Sequence, residues 1–99
     1  MWELVIGLAY MTQTVCQSPE GALALGEAVI SQNMGVFSQL FGTNECHMFN
    51  EAVPFVTEMV GGESDNMVAY GMEANGTMYY DYLSKEELLK VIANNSQGT

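Results

Sequence analysis

The stretch MVAYGMEANGTMYYDYL, residues 67–83, decides the fold. At its centre, Asn75-Gly76 is a preferred pair for a type I′ turn, whose two central residues both need positive φ. That turn fixes a register. Val68 faces Leu83, Tyr70 faces Asp81 and Met72 faces Tyr79. On the other side Ala69 meets Tyr82, Gly71 meets Tyr80 and Glu73 meets Met78. Both faces carry large side chains, so both need cover. A hairpin alone is marginal in water, which predicts a third strand from about residues 2–11 or from a second subunit.

Downstream, Ser84-Lys85-Glu86-Glu87 is a capping box, and Leu88, Leu89, Val91 and Ile92 give the following helix a buried side. Asn94 onward has nothing to bury and is expected to fray. Upstream, residues 19–41 repeat apolar side chains at Leu23, Ile30, Met34, Phe37 and Phe41, with Gly26 in the same row. Those steps match the helical period. Ser18 suits the N-cap, Pro19 the first helical position and Gly42 a left-handed C-terminal cap. A long amphipathic helix is expected, which Gly35 could bend or end early. Residues 45–60 also read as helical, through Phe49, Ala52, Val53, Val56, Met59 and Val60, with a kink or a new start at Pro54. Residues 2–15 fit both a helix and a buried strand, and the helix is preferred. The class that follows is α+β: three to four helices packed on an antiparallel β-hairpin spanning about residues 67–83. One domain covers 1–94, and a frayed tail covers 95–99.

Composition limits function more than any motif does. Apolar residues make up 48% of the 99, enough for a core, and only 14% are charged. Twelve acids face two bases, a net charge of −10, and both bases, Lys85 and Lys90, lie near the C-terminus. Nucleic-acid binding needs a basic footprint, which this chain lacks. It carries no glycine-rich phosphate loop, and an anionic membrane surface would repel it. The apolar run near the N-terminus is too short to span a bilayer and has no basic flank of the kind that marks a signal peptide. A cytoplasmic protein is expected on that reading, with Cys16 and Cys46 kept reduced.

Candidate chemistry is sparse. His47 and Glu51 would share a helical face and could touch a metal, but no third or fourth ligand accompanies them, so no metal and no cofactor are expected. Cys46 and His47 are adjacent and would diverge on a helix, which argues against a nucleophile–base pair. Asp81 stands on an apolar face opposite Tyr70, where it would bond the Tyr70 hydroxyl or sit at a wet rim. A closed apolar pocket would draw on Tyr70, Asp81, His47, Phe37 and Phe41. Met78, Tyr80 and Tyr82 are the candidate interface. The expectation is a small acidic, non-enzymatic interaction protein that forms a homodimer. The alternatives are an acidic inhibitor of a basic protein, or a binder of a small apolar ligand.

Overall fold

The computed structural model describes residues 5–97; residues 1–4 and 98–99, the ends of the expected N-terminal helix and C-terminal tail, lie outside that range. The fold is α+β, with three helices and a five-stranded antiparallel sheet among the described residues. In chain order these are β1 (Ala9–Cys16), α1 (Pro19–Ser31), α2 (Met34–Gly42), β2 (Cys46–Val56), β3 (Met59–Glu63), β4 (Met67–Ala74), β5 (Thr77–Ser84) and α3 (Lys85–Gln97). The strand order is β2-β1-β5-β4-β3.

The hairpin has the register that its turn dictates, from Val68 opposite Leu83 to Glu73 opposite Met78. Asn75 and Gly76 have φ of 54° and 81°, as a type I′ turn requires. The sheet is larger than that hairpin. β3 covers the free side of β4, and β1 joins β5 through the single pair Cys16 and Tyr80. The third strand therefore comes from Ala9–Cys16, which is a strand and not a helix. Its Tyr, Thr and Val residues suit the pleated backbone.

Residues 46–56 are likewise a strand, and Pro54 explains why. A proline inside a helix removes a donor and clashes with the preceding turn. On an edge strand its missing N–H faces outward at no cost. Opposite Gln13 the register jumps from Thr14–Met48 to Thr12–Val53, so residues 49–52 bulge from the edge.

The long helix is two helices. Gln32 adopts φ 57°. The Gln32 amide donates to the Val29 carbonyl at 3.3 Å, and the Asn33 amide donates to the Ala28 carbonyl at 2.9 Å. This is a Schellman motif with glutamine in the left-handed position where glycine is usual. Asn33 then caps α2 by accepting from the Val36 amide. At the end of α2 the left-handed residue is Asn44, not Gly42, which is still helical.

The sheet is rolled. Only Thr57 and Glu58 separate β2 from β3, and such a link reaches about 11 Å. In a flat sheet the first and fifth strands would stand about 19 Å apart. The two edges must therefore curl toward each other. Contacts to β4 bear this out: the Glu58 amide donates to the Gly71 carbonyl at 2.9 Å, and the Val56 amide lies 3.4 Å from Met72 Sδ. The N-terminal segment laces the corner shut. Thr57 Oγ1 donates to the Val5 carbonyl at 2.7 Å, and the Gly7 amide donates to the Thr57 carbonyl at 2.7 Å.

Successive residues of a strand point to opposite faces, so each face has its own core. On one, Ala22 and Leu25 of α1 pack on Cys16, Cys46 and Ala69. On the other, Val5 and Leu88 of α3 pack on Val68 and Tyr70. The buried side of α1 is Gly21, Ala22, Leu25, Gly26 and Ala28, while Ile30 is half exposed. At Gly26 the helix lies so close to the sheet that no side chain fits. A Cβ on Gly26 would stand 2.7 Å from Met67 Cγ.

Cys16 and Cys46 are directly opposed across β1 and β2 and form a disulfide, against the expectation of free thiols. Antiparallel pairing brings their Cα atoms to 3.9 Å, a proximity that spacing along the chain does not show.

Candidate functional site

Two features stand out once the fold is in place: a buried polar cluster where β1 meets β5, and an apolar corner where α1 meets α2.

Asp81 lies between Tyr80 and Tyr82 on β5. Those two tyrosines pack toward α1, so alternation turns Asp81 to the α3 face, opposite Tyr70. The residue is only 5% exposed. The Tyr82 amide donates to Oδ1 at 2.8 Å, and the Tyr10 hydroxyl donates to Oδ2 at 3.2 Å. Tyr10 reaches Asp81 across the seam between β1 and β5, 71 residues away in the chain. Burial raises the Asp81 carboxyl above the ordinary aspartate range, and hydrogen bonds from Thr12, the Tyr82 amide and Tyr10 only partly oppose this. Burial, then the charge of Asp81, pushes the Tyr10 hydroxyl far above its usual value. Tyr82 is raised by the same two causes. The arrangement can hold a proton inside the fold.

The expected pocket residues do not converge. Tyr70 and Asp81 are register partners on the α3 face. Phe37 and Phe41 stack on each other at 4.8 Å on α2 and pack toward the other face. His47 is at the start of β2, where its Nε2 lies 3.1 Å from Gln17 Nε2. Among the described residues no group of three His, Cys, Asp or Glu side chains could hold a metal ion. The three expected interface residues share one face of β5. Tyr80 and Tyr82 pack against the α1 core, and Met78 lies over Gly71 beside Tyr80.

The residue that sequence reasoning missed at Asp81 is Tyr10. Its signal was the strand-like run around it, which would have set it beside β5. Also missed was the surface at the α1–α2 corner. Val29, Ile30 and Met34 are 46%, 53% and 64% exposed. Val29 and Met34, with Ala28, Gln32 and Phe37, border a groove of roughly 520 Å³, and Ile30 stands beside Val29 on α1. No residue of α2 is buried, although Met34, Val36, Phe37, Leu40 and Phe41 are apolar. Residues 28–44 carry no charge at all. The acids that bound this run are engaged elsewhere. Glu27 accepts from the Ser64 hydroxyl and from Asn66, and these bonds hold its carboxyl below the usual range. Glu45 accepts from Ser18.

No helix among the described residues is long and apolar enough to cross a membrane. Compared with known protein families, curated proteins and solved structures, the chain shows no significant similarity to any.

Proposed function

We propose that this chain is a small non-enzymatic interaction protein that self-associates through the α1–α2 corner. The observation that carries the reading is α2 itself: an apolar helix with none of its residues buried. Phe37, Leu40 and Phe41 lean on the α1 core, but the rest of the apolar surface, Met34 above all, stands in solvent, and an exposed apolar surface of that kind generally marks an interface or a ligand groove. Charge then selects the occupant. A basic partner would find no acid on residues 28–44, and an anionic ligand would find no cation. A second copy, also at −10, meets least repulsion where neither molecule bears a charge. Isologous packing of the two corners would cover Val29, Ile30, Met34 and Phe37 on both chains.

The hairpin is a poorer place for that contact than it looked in isolation, because β3 flanks β4 and β1 abuts β5. The outer edge of β2 is interrupted by its bulge, a common device against edge pairing.

Light scattering on the purified chain at about 100 µM tests the reading, with Ile30→Glu and Met34→Glu alongside. Both side chains are more than half exposed, so each variant should fold with the parent circular dichroism. The parent should have the mass of a dimer or larger species, and both variants that of a monomer. A monomeric parent sinks the proposal. So do variants that assemble as well as the parent. Saturable uptake of a neutral apolar dye by a monomeric parent would instead favour a ligand groove.

A further inference from the structure

The seam between β1 and β5 is unlike the others in this sheet. β4 and β5 pair over eight residues each, and β1 pairs with β2 over most of its length. β1 and β5 share one register pair, Cys16 and Tyr80, at the end where the disulfide ties β1 to β2. Beyond that point side chains do the work of a ladder. Asp81 Oδ1 takes the Tyr82 amide. The Thr12 hydroxyl takes the Thr14 amide at 3.2 Å and donates to the Thr14 carbonyl at 3.0 Å. Past the single pair, β1 reaches the Asp81 carboxyl of β5 with side chains, the Tyr10 hydroxyl at 3.2 Å and Thr12.

We propose that Asp81 is a proton-operated latch: the β1–β5 seam stays closed around Tyr10 and Asp81 when the carboxyl is protonated, and parts locally there when it ionises. A carboxylate enclosed at 5% exposure gains hydration when the seam parts, whereas a neutral acid gains little. The titratable groups near it are Tyr10 from β1, Tyr70 from β4 and, on the opposite face of β5, its neighbour Tyr82. Both lysines are occupied elsewhere, Lys85 with Glu63 and Lys90 with Glu86 and Glu87. Glu27 of α1 is held by Ser64 and Asn66, and Glu20 of α1 is exposed. Among these described groups no cation offsets the charge. The Cys16–Tyr80 pair and the disulfide hold one end of the seam and the Thr57 corner holds the other, so the opening is confined to the stretch between them.

The Tyr82 amide reports the seam directly, because its acceptor is the latch. Hydrogen exchange by NMR between pH 3 and 7, corrected for intrinsic rates, compares it with the amide of Tyr70 in central β4. The Tyr82 amide should be the less protected and barely sensitive to low urea, the mark of a local opening. Its protection should fall with rising pH, about tenfold for each unit by which the carboxyl is raised. In Asp81→Asn, where the amide oxygen still accepts from Tyr82, the pH dependence should vanish. Tyr10→Phe removes a donor to the carboxylate and should move the transition to higher pH. In the unmodified chain the carboxyl ¹³C shift of Asp81 should titrate with the same midpoint, a check that needs no variant. The latch is overturned if Tyr82 shares the protection and urea sensitivity of Tyr70, if the Asn variant keeps the pH dependence, or if the ¹³C midpoint differs.

Discussion

Asp81 stabilises this fold most when it is uncharged. Burial raises its carboxyl in the folded chain above the 3.8 of an ordinary aspartate. Below that ordinary value both folded and unfolded chains hold the proton, and the contribution of Asp81 is fully present. As pH climbs through the raised value, the folded chain must ionise a buried group, and the contribution is lost. Asp81→Asn should therefore be more stable than the parent at pH 7, by about 1.4 kcal/mol for each unit of the shift. The difference should close below about pH 4, as urea titrations at pH 3, 5 and 7 would record. Gly26 poses the opposite case. Alanine there should favour the helix by about 1 kcal/mol. Its Cβ, however, would stand 2.7 Å from Met67 Cγ and 2.9 Å from Tyr82 Cδ2. Overpacking of that kind typically costs about 1–3 kcal/mol, so Gly26→Ala should lower the urea midpoint on balance.

Among the elements, the two that carry local chemistry were legible. Asn75-Gly76 fixed the hairpin and its register, and Ser84 marked the start of α3, where its hydroxyl accepts from the Glu87 amide. The elements misread were those decided by distant contacts. Residues 46–56 fit a helical period as well as an alternating one, and only pairing with β1 makes them a strand. The break at Gln32 uses a residue with no particular bias to left-handed backbone, so the helical row ran through it unmarked. The site was less legible still: Tyr70 and Asp81 were correctly paired, but Tyr10 is 71 residues from Asp81. The disulfide belongs to the same class of long-range facts. It spans 30 residues, and a closed loop of that length restrains the unfolded chain by about 3–4 kcal/mol. Both cysteines are almost fully buried and can serve as small apolar residues when reduced. The double variant Cys16→Ala, Cys46→Ala should then fold, with stability lower by about that amount, and reductant should bring the parent to the same urea midpoint.

For the whole molecule, the net charge of −10 turns salt into a discriminating variable. A radius of gyration of 13.3 Å puts the centres of two touching copies about 30 Å apart. Two charges of that size repel at such a distance by about 14 kcal/mol in unscreened water. Screening with a Debye length of about 30 Å leaves about 5 kcal/mol at 0.01 M salt, and one of about 8 Å leaves less than 1 kcal/mol at 0.15 M. If the uncharged corner of α1 and α2 joins two copies, association should strengthen with salt, by more than tenfold in Kd between those two conditions. Contact with a basic protein would weaken over the same range, because its attraction is what the salt screens. Sedimentation of the purified chain at 0.01 and 0.15 M sodium chloride separates the two. Tighter assembly at the higher salt, abolished in Met34→Glu at both, is the outcome that an apolar, charge-free contact requires. Assembly that dissolves as salt is added would place the contact on the acids instead, and the α1–α2 corner would have to be abandoned as the interface.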